Sequence, residues 1–280
     1  MENHSQLAKN TMKNLYRSPL LGSICLFYGL LFGYFECSNR GKRLFSLLNR
    51  IQMTIPLPDK NRAACRLTDL FPIGEIYMAG TYQEVEKPGY DTVIDIGAGI
   101  GIFSLKMSKV LDNAQLIAIE PDPENYTFLK KNALINNLKI KLHPIALSKS
   151  HGHSKFFVSN MKILSSINPI KGAKEIDVLV STLDRVLDGQ QTGRTLIKID
   201  VEGAELDVLK GAEETMKGNV SLIMEVHPQH VSLQDIETHL HQRGFSTQVR
   251  KGVKSSFPHI LTAHKINPCQ LPVSEGNIKN

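Results

Sequence analysis

Residues 93–104 read VIDIGAGIGIFS. An apolar run carrying one carboxylate, Asp95, leads into Gly97, Gly99 and Gly101 at every second position. Glycine gives up more backbone freedom on folding than any other residue, so three together imply a partner held close to the main chain. Reading outward sets the frame. Strand-like runs at 91–96 (DTVIDI), 115–120 (QLIAIE), 141–147 (KLHPIAL), 195–201 (TLIKIDV) and 221–226 (SLIMEV) alternate with helix-like runs at 101–111, 123–136, 205–217 and 232–243. Such alternation predicts an α/β fold, a doubly wound and mostly parallel sheet with helices on both faces. STQVRK (246–251) and FPHILTAHK (257–265) stand too close for a crossover helix. They predict a C-terminal hairpin with one antiparallel strand.

In such sheets the ligand sits beyond the carboxyl ends of the central strands, where the first strand turns into the first helix. Gly97-Ala98-Gly99-Ile100-Gly101 falls there. A nicotinamide fingerprint, G-x-G-x-x-G/A, needs a small residue at 102, where this chain has Ile102. The spacing G-x-G-x-G with Asp95 just upstream suits the zwitterionic end of an amino acid better than a pyrophosphate. Glycine amides approach it closely, and a carboxylate accepts from an ammonium but repels phosphate. Glu120 ends the second strand, where a carboxylate accepts both hydroxyls of a ribose. An amino acid joined to an adenosine is S-adenosylmethionine, the expected cofactor. Its expected contacts are Asp95, Gly97, Ala98, Gly99, Gly101, Glu120, Pro121, Asp122 and Ala146.

A second acidic stretch, KIDVEGAE at 198–205, places Lys198, Asp200 and Glu202 at alternate positions of a strand expected to be buried on both faces. Charges there are costly unless paired or facing a cleft. Asp200 and Glu202 are therefore expected at the cleft's lip, Asp200 first as general base, with Lys198 tuning both or orienting an acceptor. The structural alternative pairs Lys198 with one of the acids and uses Glu205 at the start of the next helix. His227, in EVHPQH, is the other candidate base, its ordinary pKa suiting proton transfer near neutrality. Ser165 and Ser166 are read as an acceptor lid or an exposed turn, and Thr182 as a helix cap. No metal is expected. The four cysteines show no CxxC spacing, and His151-Gly-His153 has no third ligand nearby.

VIDIGAGIGIFSL, IEPDPENYTFLKKNALIN, STLDRVL, TLIKIDVEGAELDVLKGAEE and LIMEVHP together resemble the FkbM-type methyltransferases, over about residues 76–265. The resemblance implies a Rossmann-like class I methyltransferase sheet and S-adenosylmethionine as methyl donor. It also implies O-methylation of a hydroxyl on a sugar, glycan or natural-product acceptor, with a small molecule or a glycan- or lipid-linked sugar as partner. Two other readings compete. A nicotinamide-dependent oxidoreductase is opposed by Ile102, and a non-catalytic binding module by the intact acids at 95, 120, 200 and 202.

Charge is uneven along the chain. The net charge is +6, and residues 1–70 hold ten Lys+Arg against four acids, so the remainder is neutral. A nucleic-acid partner would demand a basic face on the main domain, so none is expected. The basic segment 1–70 is read as a helical extension, 71–266 as the methyltransferase domain and 267–280 as a tail. Ser18–Phe35 carries no charge and would span about 27 Å as a helix, short of the ~30 Å hydrocarbon core. Basic residues flank it on both sides (Lys13, Arg17; Arg40, Lys42, Arg43), which disagrees with one-sided positive charge across a membrane. A packed or interfacial helix is expected, with membrane-surface contact through residues 18–53 of a cytoplasmic protein.

Overall fold

The computed structural model describes residues 47–111, 113–159, 165–170, 172–190, 192–252 and 258–265. Its frame is a seven-stranded sheet. In chain order the strands are β3 (Thr92–Ile96), β4 (Gln115–Ile119), β5 (Ile140–His143), β9 (Thr195–Ile199), β10 (Val220–Val226), β11 (Phe245–Arg250) and β12 (His259–Lys265). Their spatial order is β11-β12-β10-β9-β3-β4-β5. β3 pairs in parallel with both β4 and β9, so the order reverses at β3 and opens a crevice beyond its carboxyl end. β12 runs antiparallel to β10 and to β11, which makes the C-terminal hairpin expected from its short connection. β3 and β9 are buried along their whole length, as strands covered on both faces must be.

The helices Ile102–Val110, Pro123–Ile135 and Leu233–His241 follow the expected runs. The expected helix 205–217 is shorter. It spans Glu205–Lys210 and resumes as a 3-10 turn at Thr215–Lys217. The break falls at Gly211, where an added Cβ would lie 2.1 Å from the Ser148 carbonyl oxygen, so the backbones touch there.

Three departures from the expected layout have physical reasons. KLHPIAL is not one strand. Pro144, which has no amide to donate, separates β5 from β6 (Ala146–Leu147). β6 joins a second, three-stranded sheet with β7 (Gly152–Val158) and β8 (Lys174–Ser181), in the order β6-β8-β7. Within the stretch read as a helical extension, β1 (Gln52–Pro56) and β2 (Arg62–Arg66) instead form an antiparallel hairpin. Leu57, Ala63, Ala64 and Cys65 are buried in one core cluster with Phe103, Leu105 and Phe128. Asn132 clamps the hairpin by donating to the Ala64 carbonyl (3.0 Å) and accepting from its amide (2.6 Å). The domain therefore begins before residue 71. Ser18–Phe35 and the tail 267–280 lie outside the described residues, among which no helix is long and apolar enough to cross a membrane.

Candidate active site

One cavity of about 1090 Å³ opens over the carboxyl ends of β3, β4 and β9, with Gly97–Ile100, Glu120, Asp200, Glu202 and Glu225 in its wall. The glycine loop makes one side. Gly97 and Gly99 both take left-handed φ values, +70° and +56°. A Cβ on Gly97 would lie 1.7 Å from the Asp200 carbonyl oxygen, whereas one on Gly99 would meet nothing within 4 Å. Gly97 is thus required by the neighbouring strand, and Gly99 turns its bare face to open space. Glu120 is buried at the tip of β4, accepting from the amides of Gly99 (2.8 Å) and Asp122 (2.9 Å). Burial pushes its carboxyl up to about 7 despite these donors. Ala98, Pro121 and Ala146 also line the cavity.

Three expected cofactor contacts, Asp95, Asp122 and Gly101, are not among the residues that line the cavity. Asp95 is fully buried, accepts from the Ser104 hydroxyl (2.7 Å) and sits 3.4 Å from the Lys198 ammonium. Asp122 accepts from the amides of Glu124 (2.8 Å) and Asn125 (3.3 Å) and so caps the helix Pro123–Ile135. Gly101 precedes the helix Ile102–Val110, in its N-cap position.

The opposite side is dominated by charge. Lys198 is buried, donates to the Gly97 carbonyl (2.8 Å) and lies 3.4 Å from both Asp95 and Asp200. Burial opposes its charge, but Asp200, Asp95 and Glu225 outweigh that and hold its pKa above the ordinary value. The ion pair weighed from the sequence is present, and it ties β3, β9 and the glycine loop together. His227 lies between two carboxylates, Nδ1 2.7 Å from Glu205 and Nε2 3.1 Å from Glu202. Burial again opposes charge, yet these two hydrogen bonds push its pKa up to about 11. Both ring nitrogens are engaged by carboxylates, an arrangement that favours the charged imidazolium. Donor atoms of Asp200, Glu202 and His227 lie within 4.8 Å of one another, close enough for one cation. A metal there would have to displace the imidazolium proton first.

Three further groups escaped the sequence reading. Glu225, on β10, is pushed up to about 7 by burial and by Asp200. Its carboxylate accepts from the Tyr82 hydroxyl (2.8 Å), which also lies 3.3 Å from Asp200. Glu75 opens a single π-helical turn, Glu75–Ala79, and burial with Glu225, Asp200 and Glu202 raises its pKa well above the ordinary range. π turns recur at functional sites. Ser166 and Asn168 both donate to the Glu202 carbonyl (2.7 and 3.2 Å), so this stretch clamps the strand-end turn that carries the acids. Ser165 faces the cavity. Thr182 caps its helix, accepting from the Arg185 amide (3.2 Å).

A switch-point crevice, a backbone-lined glycine loop and a buried carboxylate at the second strand's tip are the arrangement of a class I methyltransferase, whose methyl donor is S-adenosylmethionine. The family described as Methyltransferase FkbM domain matches residues 95–247, more than half of the chain. The chain belongs to that family. It is similar to Methyltransferase 1 of Beauveria bassiana, 24% identical over 230 residues that cover 74% of this chain and 92% of that protein. Methyltransferase sdnD of Sordaria araneosa is 30% identical over 186 residues, covering 54% of this chain and 72% of that one. The hexuronic acid methyltransferase AglP of Haloferax volcanii is 27% identical, over 60% of this chain and 68% of its own.

Proposed function

We propose that this chain transfers a methyl group to a hydroxyl of a sugar, glycan or natural-product acceptor. The observation that supports this reading best is the division of one cavity into a glycine-loop side with Glu120 and a carboxylate side with Asp200 and Glu225. The cofactor fits the first side. Gly99 leaves its approach open, and Glu120 supplies acceptor oxygens for two hydroxyls. The relative named as a hexuronic acid methyltransferase favours a sugar acceptor.

S-adenosylmethionine, when bound, supplies an activated methyl on a sulfonium, so the protein's work is alignment and proton removal. The acceptor hydroxyl gives its proton to a carboxylate as its oxygen bonds to the methyl carbon. The glycine loop and Glu120 would hold the cofactor, which would supply the methyl and leave as a neutral thioether. Asp200 and Glu225, bridged by the Tyr82 hydroxyl, act as the proton-accepting pair. The Glu202–His227–Glu205 chain fixes the wall beside them. Lys198 holds Asp200 against the glycine loop and so registers the two sides.

The same reading leaves nucleic acid out and admits contact of the basic flanks of residues 18–35 with an anionic membrane surface, on the cytoplasmic side. Radiolabelled S-adenosylmethionine with fractionated glycan and lipid-linked precursors tests the assignment. The expected product is a methyl ether on a sugar or natural-product hydroxyl. Label found only on nitrogen or carbon would overturn it. High salt or carbonate should release the chain from membranes, whereas a need for detergent would overturn the surface contact.

A further inference from the structure

Among the described residues that line the cavity, Glu202 alone carries a side chain on a left-handed backbone, at φ +53°. Lys60, Asn113, Asn137 and Asp188 share that conformation, and none of them lines the cavity. The left-handed region is costly for a residue with a Cβ and persists only where the surroundings enforce it. Here they do. Ser166, which is buried, and Asn168 both donate to the Glu202 carbonyl, at 2.7 and 3.2 Å. The Ser166 hydroxyl also accepts from the Asn168 amide at 3.0 Å. Two backbone hydrogen bonds, 2.7 and 3.2 Å, tie Ser166 to Phe157 of β7, so the second sheet anchors the clamp.

The clamp fixes the direction of one carboxylate. Glu202 lines the cavity with its side chain 20% exposed, and Oε2 lies 3.1 Å from Nε2 of His227. Among the described residues no other group hydrogen-bonds this carboxylate. One oxygen of Glu202 and one of Asp200 lie within 4.8 Å of each other. A carboxylate only accepts, so Glu202 still needs a donor once a ligand has expelled water from the cavity. A single hydroxyl on Asp200 leaves it without one. Hydroxyls on neighbouring carbons stand close enough to serve both acids at once. We infer that Glu202 is a specificity-determining residue that accepts a hydrogen bond from a second hydroxyl of the acceptor, on the carbon next to the one methylated. Ser166 and Asn168 are the positioning residues that hold it there. The acceptor is therefore a vicinal diol, as in a sugar ring, and not an isolated alcohol or a phenol. This rests on the proposed transfer to a hydroxyl at Asp200.

The test uses the full chain, labelled S-adenosylmethionine and the precursor fraction that takes up label, after thermal melts show each variant folded. Glu202→Gln should raise the half-saturating amount of that fraction roughly tenfold, the scale of one hydrogen bond to a charged group. Its kcat should stay within about threefold of wild type, as when binding is lost equally from ground and transition states. Affinity for S-adenosylhomocysteine should not change. Ser166→Ala should move acceptor saturation in the same direction, and Ser166→Thr, which keeps the hydroxyl, should restore it. The double variant should be no worse than Glu202→Gln alone, because both act through one carboxylate. Should Glu202→Gln fail to fold, Glu202→Asn, more at home on a left-handed backbone, is read in the same way. In the isolated product the carbon beside the methyl ether should carry a free hydroxyl. An ether with no neighbouring hydroxyl, or unchanged acceptor saturation in a folded Glu202 variant, would overturn the inference while leaving hydroxyl methylation standing. So would a loss confined to kcat, a loss of cofactor affinity, or additive losses in the double variant. Label on nitrogen or carbon only, or in no fraction, would defeat the reading beneath it and the inference with it.

Discussion

The two sides of the cavity are built from opposite materials. The glycine-loop side is mostly main chain: four residues of one loop, Gly97–Ile100, with a single carboxylate, Glu120, at a strand tip. The acceptor side is side chains gathered from far apart, Glu75 and Tyr82 before the first strand of the large sheet, Asp200 and Glu202 after its fourth, Glu225 and His227 on and after its fifth. A backbone cradle is written largely in one short stretch of sequence. A charged wall is tuned by its neighbours, and several carboxyl pKa values there are displaced upward by burial and mutual repulsion. One side is read from a motif; the other is read from KIDVEGAE only for Asp200 and Glu202, and from the structure for Glu75, Tyr82 and Glu225.

The sharpest way to break this division is at the acids. Glu225→Gln and Asp200→Asn should each lower turnover by about 10²–10⁴, the usual contribution of a general base. Affinity for S-adenosylhomocysteine should stay within about threefold of wild type. Single-turnover rates and calorimetry on the same preparations decide it. Loss of cofactor binding in folded protein would show that the sides are not separable.

Next in size is the glycine loop. Gly97→Ala places a methyl inside the contact distance of the Asp200 carbonyl, so strand β9 or the loop must move, and cofactor binding should be lost with a lower melting temperature. Gly99→Ala meets no atom but must hold φ near +56°, which costs a side chain on the order of 1–2 kcal/mol. It should stay folded and bind the cofactor more weakly, because its methyl projects toward the ligand. Equal melting losses in the two variants would break the argument that only Gly97 answers to the neighbouring strand.

What the sequence disclosed follows from the same contrast. Strands β3, β4, β9 and β10 announce themselves as apolar runs ending at glycine or acid, and the hairpin by its short connection. KIDVEGAE stood out because charges in a buried strand need a reason. The same test applied to SLIMEV would have exposed Glu225, an acid in a strand of otherwise buried residues. Glu75 and Tyr82 gave no such signal, since irregular turns carry no periodicity and their role depends on packing against β9 and β10. Asp95 misled for a related reason. Its place before the glycines suggested the ligand, but its partners are Ser104 and Lys198, and the latter is a hundred residues away.

A smaller effect concerns pH. Glu120 has a folded pKa of about 7, above its ordinary 4.5. Between those values the folded, ligand-free state binds more protons than the unfolded one, so this group's contribution to stability falls as pH rises from about 4.5 to 7 and is flat above. Cofactor affinity should run the other way, rising with pH through about 7 as the carboxylate becomes able to accept the ribose hydroxyls. Glu120→Gln should flatten both profiles. Melting temperature and calorimetric affinity across pH 5 to 9 check the two signs independently, and a persistent affinity step in the variant would assign the titration to another group.

The smallest expected change tests the acceptor side from its outer wall. Tyr82→Phe keeps the ring, which packs edge-on against Phe103 at 5.3 Å, and removes only the hydroxyl. That hydroxyl donates to Glu225 at 2.8 Å and lowers its pKa against the pull of burial. Losing the donor should raise the Glu225 pKa, so a larger share of enzyme is protonated and inactive near neutrality. The acid limb of kcat/KM should shift to higher pH, with turnover at pH 7 reduced roughly tenfold and largely restored at pH 9, the scale of one hydrogen bond to a charged group. Because the phenol does not touch the glycine loop, cofactor affinity should not change. A pH-independent loss would mean that Tyr82 positions the acceptor directly and that the proton-accepting pair works without its bridge.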